Sequence, residues 1–130
     1  VRGGARGNLA ERVHAIHEGV AGVIASYSPT ALALEELFSH YKRPRTSILM
    51  GHARGVSCLA AAQAGIVVHN YSATQVKRIL TGNGRAPKSQ MQLAIMRELN
   101  LEVIPEPADV ADALAIALCH HYLVKNKLLA

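Results

Sequence analysis

Two aspartates near the end of the chain have the type and spacing of side chains that bind a divalent cation. Asp109 and Asp112 lie three residues apart at the start of a predicted helix that opens after Pro107. Residues at i and i+3 share one face of a helix, so both carboxylates point the same way. Acidic residues also favour helix starts because they cap the helix and complement its dipole, and this alternative stays open.

A third carboxylate, that of Glu35, follows a short apolar strand. In open α/β sheets, binding sites form beyond the carboxyl ends of strands. The helix after Asp112 is apolar, since residues 113–118 are all Ala, Leu or Ile. We therefore expect it to be buried and to carry its acids into or beside the interior, where carboxylates need partners. The alternative for Glu35 is an ordinary solvated loop residue.

Three carboxylates are a donor set for Mg²⁺, which takes oxygen ligands and keeps several waters. Mn²⁺ accepts the same donors. Two ions bridged by such acids activate water and stabilise the leaving oxygen in phosphodiester cleavage. The sequence therefore predicts a two-metal site formed by Glu35, Asp109 and Asp112.

The charges of the chain are unevenly distributed along its 130 residues, although the net charge is only +5. No Asp or Glu lies between Leu37 and Arg97. A one-signed segment of this length predicts a polyanionic partner, and nucleic acid fits better than an anionic membrane surface. The segment carries Lys42, Arg43, Arg45, Arg54, Lys77, Arg78, Arg85, Lys88 and Arg97.

Two places in this segment are candidates for DNA contact. Phe38 precedes a predicted loop over residues 39–45, which contains Lys42, Arg43 and Arg45. An aromatic ring beside basic residues suits stacking and phosphate contact on unpaired or distorted nucleic acid. The alternative is that Phe38 is a core residue.

The second place is residues 82–89, which nearly match the phosphate-binding loop of nucleotide hydrolases. Pro87 replaces the required glycine and has no N–H to offer, so this activity is excluded. Lys88 at a helix start is still expected to hold a DNA phosphate, unless it is an ordinary solvated lysine.

Other classes of site and protein find no support. The seven histidines show no spacing typical of zinc ligands. Cys58 and Cys119 lie in apolar helical contexts and are expected to be buried free thiols of an intracellular protein. No apolar run is long enough to span a membrane, and the first residues do not form a secretory signal.

The candidate residues are carried by alternating helices and strands, which predicts an α/β sheet in one domain. Two strands are few for an independent sheet, so we expect further strands before residue 1. Five helices are predicted: residues 8–27, capped by Asn8; 47–64; 72–80, capped by Ser72; 87–99; and from 107 onward. Two strands are predicted, at residues 30–34 and 66–71.

Five blocks of this sequence, taken together, resemble the RuvC Holliday-junction resolvases in order and spacing over nearly the whole chain. No single block is specific alone. The blocks are residues 33–38 (ALEELF), 51–56 (GHARGV), 71–77 (YSATQVK), 88–91 (KSQM) and 108–117 (ADVADALAIA).

This resemblance implies an RNase H-like fold, with a mixed sheet flanked by helices and one nuclease domain over residues 1–130. It further implies a homodimeric endodeoxyribonuclease that cuts four-way DNA junctions with Mg²⁺ in recombination and repair. Such an enzyme is expected in the bacterial cytoplasm, at the nucleoid, and beside a junction-migrating helicase complex.

The resemblance also assigns roles to individual residues. Glu35, Asp109 and Asp112 match the family's strand-end glutamate and its two helix-borne acids. Phe38 matches an aromatic residue beside the junction centre. Lys77 and Lys88 match basic residues near the scissile phosphate, and the block around Arg54 matches the helix at the dimer interface.

One part of the family pattern has no counterpart here. The family begins with a strand of the form G-I-D-P-G, whose aspartate is the fourth metal ligand, and this sequence contains no such segment. Relative to the family the chain is N-terminally truncated. The alternative function is therefore a catalytically impaired relative or fragment that binds junctions or other DNA without cutting.

Overall fold

The computed structural model describes residues 7–36 and 44–126, which form five helices and two strands in the predicted order. The chain divides into two compact units, Val1–His69 and Asn70–Ala130. The elements are α1 (Leu9–Tyr27), β1 (Ala31–Glu35), α2 (Pro44–Gln63), β2 (Val67–Tyr71), α3 (Ala73–Thr81), α4 (Lys88–Leu99) and α5 (Ala108–Lys125).

In the first unit, α1 packs along α2. The predicted cap is present at the start of α1, where the Asn8 side chain accepts a hydrogen bond from the Glu11 amide at 2.9 Å. Between the two helices, His17 Nε2 and Gln63 Oε1 are 2.8 Å apart. This contact links the middle of α1 to the last residue of α2, the helix that also contacts β1.

Strand β1 contacts α2 and pairs with β2 in a two-stranded parallel sheet. The first residues of β2, up to His69, belong to the same unit. The four apolar residues of β1 are only half-buried, and Glu35 at its end is exposed. The expected buried strand is thus partly open to solvent.

The start of α2 differs from the sequence prediction. Arg45 was expected in a loop, but α2 already begins at Pro44, and Arg45 is exposed in its first turn. Proline suits a first helical turn because the N–H it lacks would have no intrahelical partner there. The predicted end of α2 is close to the observed one, and Gly65 follows it with a φ of 74°.

In the second unit, α3, α4 and α5 pack on one another. The predicted cap of α3 is present, since Ser72 Oγ accepts from the Gln75 amide at 3.1 Å. The buried residues of this unit are mostly small or aliphatic, as the scarcity of aromatic residues predicts. They are Tyr71, Val76, Ala86, Ile95, Ala111, Ala115, Leu118, Cys119 and Leu123.

The remaining features concern the thiols and the connections. Cys119 is buried, whereas Cys58 is only half-buried, and both are free. Residues 100–107 connect α4 to α5 without forming a strand. No helix in the described ranges is both long and apolar enough to cross a membrane.

Candidate functional site

The start of α5 presents Asp109 and Asp112. The N-cap position is taken by Pro107, which offers no side-chain hydrogen bond. Asp109 lies in the first turn, where its charge complements the helix dipole, but Asp112 lies beyond it. Helix capping therefore accounts for part of the role of Asp109 and leaves Asp112 unexplained.

Both aspartates are exposed, so of the two expected positions, in the interior or beside it, the structure excludes the first. The buried face of α5 consists of Ala111, Ala115, Leu118, Cys119 and Leu123. This face packs against α3 and α4. Asp112 lies three residues before Ala115 on the same side of the helix, so the described elements leave this side open at Asp112. In the part of the chain that the structure describes, neither carboxylate takes part in an ion pair. Both are open to a cation from solvent.

The third acid, Glu35, ends β1 with its side chain exposed. The backbone carbonyl of Glu35 accepts a hydrogen bond from Nη1 of Arg54 on α2. This contact fixes the end of the strand through its backbone and leaves the Glu35 carboxylate available. The sequence analysis missed it because the two residues are 19 positions apart and meet only when α2 folds back along β1.

The donor chemistry of the three acids fits a hard divalent cation, since carboxylate oxygens are ligands that Mg²⁺ and Mn²⁺ prefer. Glu35 belongs to the first unit, and Asp109 and Asp112 belong to the second. Within residues 7–36 and 44–126, no three His, Cys, Asp or Glu side chains form a ready metal cluster. A metal site shared by these acids stays a prediction.

The predicted DNA-contacting residues fall on several elements. Lys77 is half-buried on α3, and Lys88 is the exposed first residue of α4. Arg45 is exposed at the start of α2. The predictions for Phe38, Lys42 and Arg43 concern residues outside the described ranges.

The connection that places Lys88 is held by its own hydrogen bonds. Thr81 Oγ1 donates to the Lys77 carbonyl at 2.7 Å and accepts from the Asn83 amide at 3.1 Å. Asn83 Oδ1 accepts from the Arg85 amide at 2.9 Å. Pro87 then takes the N-cap position of α4, without a side-chain cap. Lys88 is therefore carried on an ordered turn that starts from the helix bearing Lys77.

A contact within the second unit was also missed by the sequence analysis. The Tyr71 hydroxyl and His120 Nδ1 are 2.5 Å apart, which joins the end of β2 to α5. Burial raises the pKa of Tyr71, and the neighbouring Cys119 adds to the effect. His120 was considered only as a zinc ligand, and no local pattern pairs it with a tyrosine 49 positions away.

The chain is similar to known proteins over most of its length. The family model "Crossover junction endodeoxyribonuclease RuvC" matches residues 1–120. The protein of that name from Rhodopirellula baltica is 63% identical over 118 residues, covering 91% of this chain and 66% of its own length. The one from Heliobacterium modesticaldum is 47% identical over 119 residues, covering 92% of this chain and 73% of its own length.

Solved structures agree with this match. Thermus thermophilus RuvC superposes with a TM-score of 0.89 at 36% identity, covering 98% of this chain and 76% of that one. The structure of the same protein "in complex with Holliday junction substrate" superposes with a TM-score of 0.88 at 35% identity. It covers 95% of this chain and 74% of that one. The fold is thus the RNase H-like fold expected from the sequence. The chain spans about two thirds of the length of the first curated relatives it matches. The protein belongs to the family of RuvC crossover junction endodeoxyribonucleases.

Proposed function

We propose that this protein is a structure-specific endodeoxyribonuclease that resolves four-way DNA junctions by Mg²⁺-dependent hydrolysis. The observation that carries the proposal is the pair of exposed carboxylates, Asp109 and Asp112, at i and i+3 on α5 within a chain of this family. Capping explains only part of the role of Asp109 and none of the role of Asp112, so this exposed acidic pair supports a role in binding a cation. The solved RuvC complex with a Holliday junction supports the choice of substrate.

Glu35, Asp109 and Asp112 are the proposed ligands of Mg²⁺, and Mn²⁺ is the proposed substitute. When bound, the ions supply an activated water and stabilise the leaving oxygen of the phosphodiester. Arg54 supports this site indirectly, because it holds the backbone at Glu35. The proposed products carry 5′-phosphate and 3′-hydroxyl ends.

The basic residues are proposed to position the DNA strand against these acids. Lys77 and Lys88 contact phosphates near the scissile bond, and Arg45 contacts an arm of the junction. Phosphate contacts of this kind fix register without reading sequence. Phe38, Lys42 and Arg43 belong to the same proposed surface.

The proposed assembly follows the family. The enzyme acts as a homodimer, in which two sites cut strands of like polarity, and it works with a junction-migrating helicase in the cytoplasm at the nucleoid. Sedimentation with and without junction DNA tests the dimer, and a mass corresponding to one chain in both conditions would contradict it.

The activity is tested with the protein expressed from the complete reading frame that contains this sequence. A labelled four-way junction is incubated with Mg²⁺, and the cleavage rate of the wild type is compared with that of Asp112→Asn. We expect a loss of at least about 100-fold, because removing a charged ligand weakens metal binding and stabilisation of the developing charge.

The matched control is Glu102→Gln, which removes the same charge from an exposed acid of the same unit. It is expected to cleave like the wild type. Equal cleavage by Asp112→Asn and the wild type would contradict the metal assignment. Binding of the junction by the wild type without any cutting would favour the non-catalytic alternative.

A further inference from the structure

Two arginines beside the turn between α3 and α4 have no role in the site described so far. Arg78 lies near the end of α3 and Arg85 lies in the turn, and both are exposed. Neither forms an ion pair with a residue of the described ranges. The sequence places no Asp or Glu between residues 37 and 97, so no neighbour in that segment offsets their charge.

Gly84 brings the Arg78 guanidinium onto this turn. A Cβ added at Gly84 would lie 3.3 Å from Arg78 Nη2 and 3.0 Å from Thr74 Cγ2. The guanidinium therefore lies against the backbone of Gly84, one residue before Arg85. Arg85 extends a second exposed cation from the same turn, and two such cations attract an anion.

The turn is held in one conformation before any ligand arrives. Besides the bonds of Thr81 and Asn83 given above, the Ala86 amide donates to the Asn83 carbonyl at 3.1 Å. The Ala86 side chain is 3% exposed and anchors the turn in the core of its unit. A preorganised turn pays little ordering entropy when it binds.

We infer that Arg78 and Arg85 bind phosphates of the DNA backbone and, with Lys77 and Lys88, form one phosphate-binding surface, here named the basic turn. Arginine suits this task because its planar guanidinium holds a phosphate through two parallel hydrogen bonds, whereas lysine acts as a point charge. This inference rests on the proposed function, since it takes junction DNA as the ligand, and it extends that function to residues outside the acidic site.

The test measures binding rather than cleavage. A fluorescein-labelled four-way junction is titrated in EDTA with wild type, Arg78→Gln and Arg85→Gln at several salt concentrations, and anisotropy gives each Kd. Each substitution should weaken binding about fivefold to tenfold and reduce the magnitude of the slope of log K against log[salt] by about 0.9. When the same variants bind an isolated duplex arm of the junction, the salt slope should be reduced by the same amount. The reason is that contacts to the DNA backbone do not depend on sequence.

Lys125→Gln is the matched control, because it removes one positive charge from the exposed end of α5 in the same unit, outside the acid-free segment. It should leave the affinity within about twofold of the wild type, as for a cation away from the DNA. Wild-type affinity and slope in both test variants would overturn the inference and leave the nuclease proposal intact, and so would an equal loss in Lys125→Gln. Failure of the wild type itself to bind the junction would instead overturn the proposed function.

Discussion

Asp112 and Cys119 show how two residues on one helix come to have opposite environments. Asp112 is exposed, whereas Cys119 is fully buried two turns further along α5. The sequence of α5 is apolar around the whole helix, so it predicted burial without indicating which face would pack. Asp112 lies seven residues before Cys119 and therefore on the same side of α5. It is exposed because α3 and α4 cover that side at Cys119 but not at Asp112.

Cys119 leads to a prediction on the pH dependence of stability. Burial raises the pKa of its thiol from 9.0 to about 11. The unfolded thiol therefore loses its proton at lower pH than the folded one, so the free energy of unfolding falls as pH rises from about 9 to about 11. Urea unfolding at a series of pH values should show a steeper fall for the wild type than for Cys119→Ala.

Cys58→Ala is the control for this measurement, because Cys58 is only half-buried. In Cys58→Ala the free energy of unfolding should depend on pH as it does in the wild type. Identical slopes for the wild type and Cys119→Ala between pH 9 and 11 would mean that the buried thiol does not contribute in this way.

At the scale of elements, local signals in the sequence were sufficient to predict where a helix begins when a side chain hydrogen-bonds to the backbone of that helix. Asn8 and Ser72 were predicted as caps from the polar residue three positions after each, and both make the predicted bond. The start of α2 was misplaced because a proline is compatible with a loop and with a first helical turn. The contacts between Arg54 and Glu35 and between Tyr71 and His120 depend on packing and left no local signal.

The cap of α3 gives a prediction at this scale. Ser72→Ala removes the acceptor of the Gln75 amide and should lower the free energy of unfolding by about 1 kcal/mol. It should also weaken junction binding modestly, because α3 carries Lys77 and Arg78. The measurement is chemical denaturation of Ser72→Ala and of a control, Ser89→Ala. Ser89 is an exposed serine inside the first turn of α4. An equal and negligible effect of both changes would contradict the stabilising role of the cap.

At the scale of the whole molecule, the distribution of charge along the chain indicated the class of binding partner more clearly than any single motif did. The acid-free segment indicated a polyanionic partner before the fold was known, and the name of the matched family, crossover junction endodeoxyribonuclease, agrees with that indication. The division into two units was not predicted, because nothing in the composition changes near residue 69. The candidate acids are divided between those units, so a metal site shared by them stays a prediction that rests on the family blocks.

The most direct test of the central claim, that this protein resolves four-way junctions by hydrolysis, examines its products. A synthetic four-way junction is cut by the wild type in Mg²⁺, and the products are treated with DNA ligase. The account predicts paired nicked duplexes that the ligase seals completely, because paired cuts leave 5′-phosphate and 3′-hydroxyl ends at the same position. Uncut junctions, or fragments that the ligase does not seal, would contradict it.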